Sequence, residues 1–307
     1  MTAAAPVIGI DLGGTHMQVG VVSSTGVLLG RSRCHTDAQE GFDAVIATIA
    51  EQCRAACDDA AVSLDAIAGA GLAAPGAVDP GRGLVLRAPN IGWDDAPAAA
   101  ALEKSIGRPV FLDNDVNAAA LAEATLGAGR GHADMLAVWV GTGIGGGLIF
   151  GGRVFHGPLF TAGEIGHVIQ EIDAPEGKRK LEHLASRTAI SNAIAERSGL
   201  DAPPSSGAIA QAYADGDAVV REVVGGAARR IGVAIANVAT VLSLGKVVLG
   251  GGLIETMGEA FVGPVQRSVR EHIFPEELRT IEVAATQLGP DAGLMGAAML
   301  ARQQLGG

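Results

Sequence analysis

The sequence contains few cysteines. Cys34, Cys53 and Cys57 are the three cysteines among 307 residues, and they are too few and too scattered for a disulfide framework. Cys53 and Cys57 lie one helical turn apart in the segment EQCRAAC, a spacing that two metal ligands can also have. Buried thiols are the commoner outcome, so we predict reduced, buried cysteines here.

The sequence also lacks a basic tract. Its formal net charge is -11 at pH 7, which argues against a phosphate backbone or an anionic membrane surface as a partner. The N-terminal segment, MTAAAPVIGIDLGG, has no basic residue and reaches an acid at Asp11, unlike a signal peptide. We therefore expect a cytoplasmic protein whose partners are small molecules, not nucleic acid or membrane.

Long hydrophobic runs are interrupted by glycine. The run at residues 135–152, MLAVWVGTGIGGGLIFGG, is uncharged, but its glycines cluster in the middle. Glycine at these positions disfavours one long helix and suits a turn between two short strands. The segment is therefore predicted to be a β-hairpin and not a membrane span.

The pattern of the N-terminal part predicts alternating strands and helices. Three apolar runs, PVIGIDLGG, MQVGVVSS and GVLLGRSR, are separated by turn residues and predict a three-stranded meander. Apolar residues with helical spacing follow at residues 41–60. Two further strands are predicted at AIAGAGLAAPG and RPVFLDN, with a helix between them. At this length, two domains are expected.

The same order of elements then begins again. MLAVWV and GGGLIFGG are predicted strands, a third is possible at RVFHG, and a long irregular stretch follows. Apolar residues fill residues 218–244, which predicts a helix that is buried on several sides. The strand KVVLGGG, a helix, the strand RTIEVAAT and a final helix with Asp291 as its N-cap complete the chain.

Two glycine-rich turns, DLGGT at residues 11–15 and GTGIGG at residues 141–146, each connect one strand to another. Dinucleotide and Walker motifs require a helix after the glycines, so these turns belong to neither class. They either permit tight hairpins or expose backbone N–H groups and a threonine hydroxyl to phosphate oxygens. An acid beside a phosphate suggests magnesium at Asp11. Gly251, in GGGL, would allow close approach of a flat ligand such as adenine.

Polar residues cluster where a strand meets a helix. The stretch FLDNDVNAAALAEA, residues 111–124, brings Asp113, Asn114, Asp115 and Asn117 together. Capping the helix requires one such side chain, so the stretch has more polar residues than a helix start needs. We interpret Asp113 and Asn117 as local support for the helix start and look for a functional role in the other two.

Together these segments are similar to the ROK family of sugar kinases, in the actin-like ATPase superfamily that includes actin and Hsp70. The matching motifs run almost from end to end of the chain: IGIDLGGTHMQVGVV, GLAAPGAVD, APNIGWDD, FLDNDVNAAALAE, GTGIGGGLIFGG, AGEIGHV, LEHLASRTAI and VVLGGGL. In combination they are specific for the family, but they are much less specific for the sugar.

The resemblance implies an α/β fold of the duplicated actin-like ATPase (ribonuclease H-like) type, with two lobes and a central cleft in which ATP and sugar bind. We expect residues 1–114 and 292–307 to form the smaller N-terminal lobe and residues 115–291 to form the larger C-terminal lobe. The resemblance also implies a homodimer.

Carried over position by position, the resemblance makes Asp115 the catalytic base that takes the proton from a sugar hydroxyl. It places at the sugar Asn90, Asn114, Asp115, Glu164, His167 and Glu182. It assigns to the phosphate turns Gly13, Gly14, Thr15, Thr142 and Gly143, and it makes Asp11 the acid that holds magnesium through water. Phosphoryl transfer does require one carboxylate to accept a proton from the attacking hydroxyl, and sugar recognition requires many short polar side chains.

These residues also have purely structural interpretations. Glu164 and His167 are three positions apart and would pair on one face of a helix. Glu182, beside the basic run GKRK, would be a surface charge. Asn90 would be a turn residue, and Asn114 or Asp115 only a helix cap. Their joint occurrence in the order of the family's motifs favours the functional interpretation.

The sequence departs from the family in two places. Members commonly carry a cysteine cluster between the GEIGH histidine and the LE glutamate, which binds structural zinc together with that histidine. Here the interval, VIQEIDAPEGKRK, contains no cysteine, and His167 with scattered acids does not match a structural zinc site. We predict no zinc, which leaves open what orients His167 and Glu182. His16 stands where the family often has lysine and is assigned no role.

The leading hypothesis is an ATP-dependent hexose kinase that converts glucose to glucose 6-phosphate. A kinase for an N-acetylhexosamine, either N-acetylglucosamine or N-acetylmannosamine, or for fructose is the alternative within the same class. A sugar-responsive repressor is disfavoured, because only ten residues precede Asp11 and the chain is acidic. A non-catalytic sugar-binding ROK protein is the alternative of another class, and Asp11, both glycine turns and Asp115 argue against it.

Overall fold

A computed structural model describes residues 5–306 of the protein. Residues 1–4, which begin the segment that we predict not to be a signal peptide, lie outside the described residues, as does residue 307. Up to residue 126 the elements are β1 (Val7–Leu12), β2 (His16–Val22), β3 (Leu28–His35), α1 (Phe42–Asp59), β4 (Ala70–Ala74), β5 (Ala77–Asp79), β6 (Leu84–Ala88), β7 (Trp93–Ala96), α2 (Ala98–Ile106), β8 (Val110–Asn114) and α3 (Asp115–Thr125). Next come β9 (Met135–Val140), β10 (Ile144–Phe150), β11 (Arg153–Val154), α4 (Leu181–Ala185), α5 (Arg187–Ser198), α6 (Ser206–Asp215), α7 (Ala218–Leu242), β12 (Lys246–Gly250), α8 (Gly252–Met257), α9 (Glu259–His272), β13 (Glu282–Ala285) and α10 (Ala292–Gln304).

The chain forms two compact units. The first holds the described residues up to Leu126, the segment His156–Thr161 and the C-terminal segment from Asp291. The second holds Gly127–Phe155 and Ala162–Pro290. The first unit extends beyond the expected boundary at residue 114 because α3 packs against α10.

The first unit is built on a five-stranded sheet in the order β3-β2-β1-β4-β8. The predicted meander is confirmed, since β1, β2 and β3 pair antiparallel, whereas β1, β4 and β8 run parallel. In this register Asp11 lies opposite Ala73, and Ala73 lies opposite Asp113. The carboxyl ends of the three parallel strands therefore meet at one edge of the sheet, the usual place for a ligand site in such sheets.

The second unit repeats this topology. Its sheet has the order β11-β10-β9-β12-β13, so the third, second, first, fourth and fifth strands are neighbours as they are in the first sheet. The duplication predicted from the sequence is confirmed at this level. The uncharged run forms β9, a turn and β10 as predicted, and no helix within residues 5–306 combines the length and hydropathy needed to cross a membrane. The possible strand RVFHG is reduced to Arg153–Val154.

Several elements were not predicted from the sequence. A small antiparallel sheet, β5-β6-β7, lies between β4 and α2. The stretch predicted to be irregular contains α4, α5 and α6. These strands and helices are short, and in α5 and α6 few apolar residues are buried, so their hydrophobic periodicity is weak. The long helix predicted at residues 218–244 is confirmed as α7.

Two further expectations are corrected by the structure. Asp291 precedes α10, but its backbone is helical and its carboxylate does not cap the helix; an N-cap side chain requires an extended backbone at that residue. The Asp291 carboxylate instead accepts from Arg31 Nη2 at 2.7 Å. All three cysteines are free, but only Cys53 and Cys57 are buried, whereas Cys34 is half-buried.

Helix α10 lies unusually close to its neighbours. A Cβ atom at Gly71 would lie 1.8 Å from the Ala297 carbonyl oxygen, and one at Gly9 would lie 2.1 Å from that of Leu294. A Cβ atom at Gly296, on the helix itself, would lie 1.7 Å from the Ala118 carbonyl oxygen in α3. Glycine at these three positions brings the N-terminus of α10 close to the end of β1.

Candidate active site

Asp11 lies near the carboxyl end of β1, beside the first turn of α10. Gln18 Nε2 donates to Asp11 Oδ2 at 3.2 Å. A Cβ atom at Gly293 would lie 2.7 Å from the Asp11 carboxyl carbon, so only glycine leaves room for the carboxylate there. Burial raises the pKa of Asp11, and the hydrogen bond from Gln18 opposes this effect. The partial positive charge of a helix N-terminus favours an acid at this place.

The first glycine turn joins β1 to β2 and is pinned by Thr36. Thr36 Oγ1 donates to the Gly13 carbonyl oxygen at 2.7 Å, and the Thr36 N–H donates to the Thr15 carbonyl oxygen at 2.9 Å. The Gly13 N–H is already used, because it donates to the His16 carbonyl oxygen at 3.0 Å. Within the described residues the N–H groups of Gly14 and Thr15 have no backbone acceptor, and both residues are exposed. These two groups are thus the ones available to a phosphate.

Asn90 adjoins this turn. It lies in a short 3₁₀ helix, Pro89–Ile91, between β6 and β7. A Cβ atom at Gly14 would lie 3.3 Å from Asn90 Cβ, so the two residues are in contact range. The small sheet that the sequence did not predict is therefore what carries Asn90 to the turn.

Asp115 is the first residue of α3, directly after β8. Its Oδ1 accepts from the Val116 N–H at 2.9 Å. Burial raises the pKa of Asp115 to about 7, with a smaller contribution from the negative charge of Asp11. Hydrogen bonds from Val116 and Asn114 oppose this shift. A carboxylate with such a pKa is suited to accept a proton near neutral pH.

Asn114 caps α3, which is the structural interpretation considered above. Its Oδ1 accepts from the N–H groups of Val116 at 2.8 Å and Asn117 at 3.2 Å. Its Nδ2 donates to the Gly76 carbonyl oxygen at 3.0 Å. An asparagine amide has two N–H donors, and the second one is used by the hydrogen bond to the Asp115 carboxyl group, so both are engaged within the chain.

Asp113 joins the end of β8 to the segment His156–Thr161. Its carboxylate is buried and accepts from Asn117 Nδ2 at 3.0 Å and from the Asn114 N–H at 2.7 Å. The other oxygen lies 2.7 Å from His156 Nε2. This hydrogen bond raises the pKa of His156, against the opposing effect of burial. No local motif points to His156, because it lies far from Asp113 along the chain.

In the second unit, the glycine turn between β9 and β10 lines a cavity. The Gly141 N–H donates to the Gly143 carbonyl oxygen at 2.9 Å, and the Arg187 N–H donates to the Gly141 carbonyl oxygen at 3.0 Å. A Cβ atom at Gly143 would lie 2.8 Å from Glu182 Oε2. The cavity has a volume of about 420 Å³ and is lined by Thr142, Gly143, Glu182, His183, Ser186, Thr188, Ala189 and Asn192.

Two lining residues of this cavity were missed by the sequence analysis. Within the described residues, the buried atoms His183 Nδ1 and Thr188 Oγ1 have no hydrogen-bond partner. His183 lies in α4, whereas Thr188 lies in the first turn of α5, which Ser186 caps by accepting from the Ala189 N–H at 3.1 Å. Unpaired buried polar atoms at a helix N-terminus are well placed for an anionic or polar ligand. A larger cavity, about 720 Å³ in the first unit, is lined by none of the predicted site residues.

Glu164, His167 and Glu182 are brought together by glycines. A Cβ atom at Gly163 would lie 2.5 Å from the Gly146 carbonyl oxygen, and one at Gly166 would lie 2.0 Å from that of Ile144. These close approaches hold the segment AGEIGH against β10 and present its polar side chains, of which Glu164 and His167 are half-exposed.

Distances within this group show which side chains approach one another. His167 Nε2 lies 3.8 Å from Glu164 Oε2, and His167 Nδ1 lies 3.9 Å from Glu182 Oε1. Lys180 Nζ, which the sequence analysis did not single out, lies 2.8 Å from His167 Nδ1.

Gly251 follows β12 and has a packing role. Its φ of 97° favours glycine, and a Cβ atom there would lie 2.5 Å from the Val140 carbonyl oxygen. Close packing against β9 therefore explains this glycine without a ligand. Gly250 packs in the same way, since its Cβ atom would lie 2.4 Å from Trp139.

The residues present fit magnesium better than zinc. Asp11 and Asp115 offer hard carboxylate oxygens, and a divalent cation would offset the repulsion that raises the pKa of Asp115. For zinc, no group of three His, Cys, Asp or Glu side chains among residues 5–306 is placed to hold a metal ion.

The repeated sheet topology and the turns at the strand ends define the actin-like ATPase fold. The chain belongs to the ROK family, whose model matches residues 7–304. It is similar to the glucokinase of Halalkalibacterium halodurans, with 34% identity over 97% of this chain and 95% of that protein.

Solved structures agree with this assignment. The ROK hexokinase of Thermus thermophilus superimposes with a TM-score of 0.86 at 34% identity and covers 98% of this chain and 99% of its own. A ROK family glucokinase of Streptomyces griseus, in complex with glucose and AMPPNP, superimposes with a TM-score of 0.83 at 31% identity over 97% and 99% of the two chains.

Proposed function

We propose that the protein is an ATP-dependent hexose kinase that converts glucose to glucose 6-phosphate. The observation that carries this proposal is Asp115, a carboxylate at the end of β8 whose pKa is raised to about 7. Similarity to the glucokinase of H. halodurans and to the S. griseus enzyme with glucose and AMPPNP supports the choice of substrates.

In the proposed reaction, Asp115 accepts the proton of the sugar hydroxyl while the hydroxyl oxygen attacks the γ-phosphorus of ATP. The bond from that phosphorus to the bridging oxygen breaks, and ADP leaves. Because the transition state is loose, the chain contributes mainly position and charge stabilisation. Asp115 both orients the hydroxyl and removes its proton.

The remaining site residues are assigned by the chemistry of their free groups. The N–H groups of Gly14 and Thr15, and Thr142 with Gly143 in the second turn, bind phosphate oxygens, while Gly13 shapes the first turn. Asp11 would hold Mg²⁺, and the ion would offset phosphate charge when bound. Gly251, which packing against β9 already requires to be glycine, is proposed to lie beside the adenine.

The sugar contacts are proposed from the polar side chains outside the phosphate turns. Asn114 would donate to a sugar oxygen in place of one of the hydrogen bonds that it makes to Gly76 and Asp115. The other sugar contacts are Asn90, Glu164, His167 and Glu182.

We further propose that the protein is a cytoplasmic homodimer, which analytical ultracentrifugation over a range of concentrations would test.

An ADP-release assay tests the function. The panel is glucose, N-acetylglucosamine, N-acetylmannosamine and fructose, with ATP, GTP or polyphosphate as donor and water as the blank. We expect the highest kcat/KM for glucose with ATP. Preference for a hexosamine or fructose would correct the substrate, and no release above the water blank with any pair would exclude a kinase and leave a sugar-binding protein.

The variant Asp115→Asn tests the base. It should lose about 10²- to 10⁴-fold in kcat while glucose binding, measured by calorimetry, is retained. Asp58→Asn, an exposed site on α1, makes the same chemical change and should retain full activity. Near-normal turnover of Asp115→Asn would remove Asp115 from this role.

A further inference from the structure

The environment of His167 contains a cation, Lys180, which is the last residue of the basic run GKRK. Lys180 Nζ lies 2.8 Å from His167 Nδ1. On either side of the ring lie carboxylates, with Glu182 Oε1 3.9 Å from Nδ1 and Glu164 Oε2 3.8 Å from Nε2. The ammonium is thus the nearest charged group to the imidazole in this set.

A short hairpin fixes the position of Lys180. Ile169 and Lys180 form an antiparallel bridge. The Leu181 N–H donates to the Val168 carbonyl oxygen at 3.0 Å, and the Gln170 N–H donates to the Arg179 carbonyl oxygen at 2.7 Å. This register sets Lys180 across from the residues that directly follow His167.

The hairpin is also tied to the rest of its unit. Arg230 Nη1, on α7, donates to Glu171 Oε1 at 2.7 Å. Lys180 is itself the residue before α4, the helix that carries Glu182, and the His183 N–H donates to the Lys180 carbonyl oxygen at 3.1 Å. One residue therefore connects His167 to the helix of Glu182.

Zinc does not fit this place. The hairpin has no cysteine, and within residues 5–306 no three potential ligands converge. The Nδ1 atom of His167 already faces an ammonium group, which would repel a metal ion at that nitrogen. Backbone pairing, the Arg230–Glu171 pair and Lys180 hold together a segment that carries no metal cluster.

We propose that Lys180 is a positioning residue that orients His167. An ammonium group has donors only, so His167 Nδ1 must accept the hydrogen bond. The imidazole proton then resides on Nε2, and the ring plane is set by the N–H···N contact. A neutral histidine with a fixed Nε2–H is a hydrogen-bond donor of one defined direction, which suits a sugar oxygen.

The kinetic consequence rests on the proposed function. If His167 binds the sugar, loss of the ammonium should weaken glucose binding without removing a reacting group. We expect Lys180→Met to raise the KM for glucose about tenfold, by analogy with the loss of groups that orient a histidine ligand. The KM for ATP and kcat should stay within about twofold, because a positioning effect on ground-state binding appears mainly in KM. Lys180→Arg, which retains a donor, should recover much of the loss.

The matched control is Lys178→Met. Lys178 is two residues away in the same hairpin and is exposed, so the variant makes the same change in charge and size. It should behave as the wild type. An equal effect of Lys178→Met and Lys180→Met on the KM for glucose would mean that general charge is responsible, and it would overturn the proposal.

A second measurement requires no turnover. Nitrogen-15 NMR of the histidine side chains, assigned with His167→Gln, should show in the wild type an unprotonated Nδ1 that accepts a hydrogen bond. In Lys180→Met this signal should shift, because Nδ1 loses the hydrogen bond that it accepts from the ammonium. An unchanged Nδ1 signal would overturn the proposal.

The two readouts separate the two proposals. If the wild-type protein phosphorylates no sugar, the proposed function fails, while the NMR signal still decides the role of Lys180. If the protein is an active kinase and Lys180→Met leaves both the NMR signal and the KM for glucose unchanged, only the positioning role fails. Lys180→Arg provides the comparison should Lys180→Met fold poorly.

Discussion

At the scale of single residues, the proposed chemistry depends on two acids of the first unit. Asp115 lies at the start of α3, and its pKa is raised to about 7 by burial and by the charge of Asp11. The pKa of Asp11 is raised by burial as well. A base needs to be ionised to act, so the raised pKa determines where activity is lost on acidification.

We predict that kcat/KM for glucose rises with pH and levels off above about pH 7 in the free enzyme. Below that value it should fall about tenfold per pH unit, because only ionised Asp115 accepts the proton. A pH profile at limiting glucose and saturating magnesium-ATP checks this. The residual activity of Asp115→Asn should not show this fall in kcat/KM below pH 7. If the fall persists in the variant, a different group is responsible for it.

The same shift affects stability with a definite sign. A carboxyl group whose pKa is raised in the folded state destabilises the fold when it is ionised. The pKa of Asp115 rises from 3.8 to about 7 on folding, so the free energy of unfolding falls as the pH rises between these two values. Asp115→Asn is therefore expected to be more stable than the wild type above pH 7 and similar to it near pH 4, which would show the strain that this site places on the fold.

Gly293 is the second residue-scale determinant. An alanine Cβ would lie 2.7 Å from the Asp11 carboxyl carbon, so Gly293→Ala must displace that carboxylate. We expect kcat/KM for magnesium-ATP to fall roughly 10- to 100-fold, because small displacements at a reacting site are costly. Gly226→Ala, in α7 with open space around the new methyl, is the control and should keep full activity. Equal activity of the two variants would contradict a role for the close approach.

At the scale of elements, α10 determines the position of the Asp11 region. Gly9 and Gly71 on the sheet and Gly296 on the helix allow backbone contact that any side chain would prevent. Helix α10 packs against β1, β4 and α3 together. Helix α10, the last element in the sequence, therefore packs directly against β1, the first.

Gly296→Ala should destabilise the protein although alanine is the better helix former. Its methyl would lie 1.7 Å from the Ala118 carbonyl oxygen, so α3 and α10 must separate. We expect the free energy of unfolding to fall by about 2–4 kcal/mol in urea titrations. Gly226→Ala should instead be neutral or stabilising by up to about 1 kcal/mol. A neutral Gly296→Ala would show that the two helices tolerate wider spacing.

At the scale of the whole molecule, metal dependence distinguishes the two ions considered above. We predict that EDTA abolishes turnover and that Mg²⁺ alone restores it. Metal analysis of the purified protein should find no stoichiometric zinc, and a zinc chelator should leave the melting temperature unchanged, because backbone pairs and Lys180 hold the hairpin. One zinc per chain would show that ligands were overlooked.

Much of the fold could be predicted from local pattern. The strands that flank both glycine turns, the helix at α7 and the repeated order of strands follow from apolar periodicity, which the core imposes on long elements. The small sheet β5-β6-β7 and α4–α6 could not be predicted, because short elements have too few residues to show a period. Asp291 illustrates a similar limit. An aspartate before a helix suggests an N-cap, but Arg31, far away in the sequence, binds its carboxylate.

Local sequence pattern is enough to locate the candidate site residues: two glycine turns after strands and a cluster of acids and amides before an alanine-rich helix. Tertiary structure decided which groups are free. It commits Asn114 to the cap of α3 and the Gly13 N–H to its own turn, and it brings Lys180 to His167. The physical reason is that hydrogen-bond partners distant in sequence become neighbours only through sheet register and close packing, which composition and spacing do not specify.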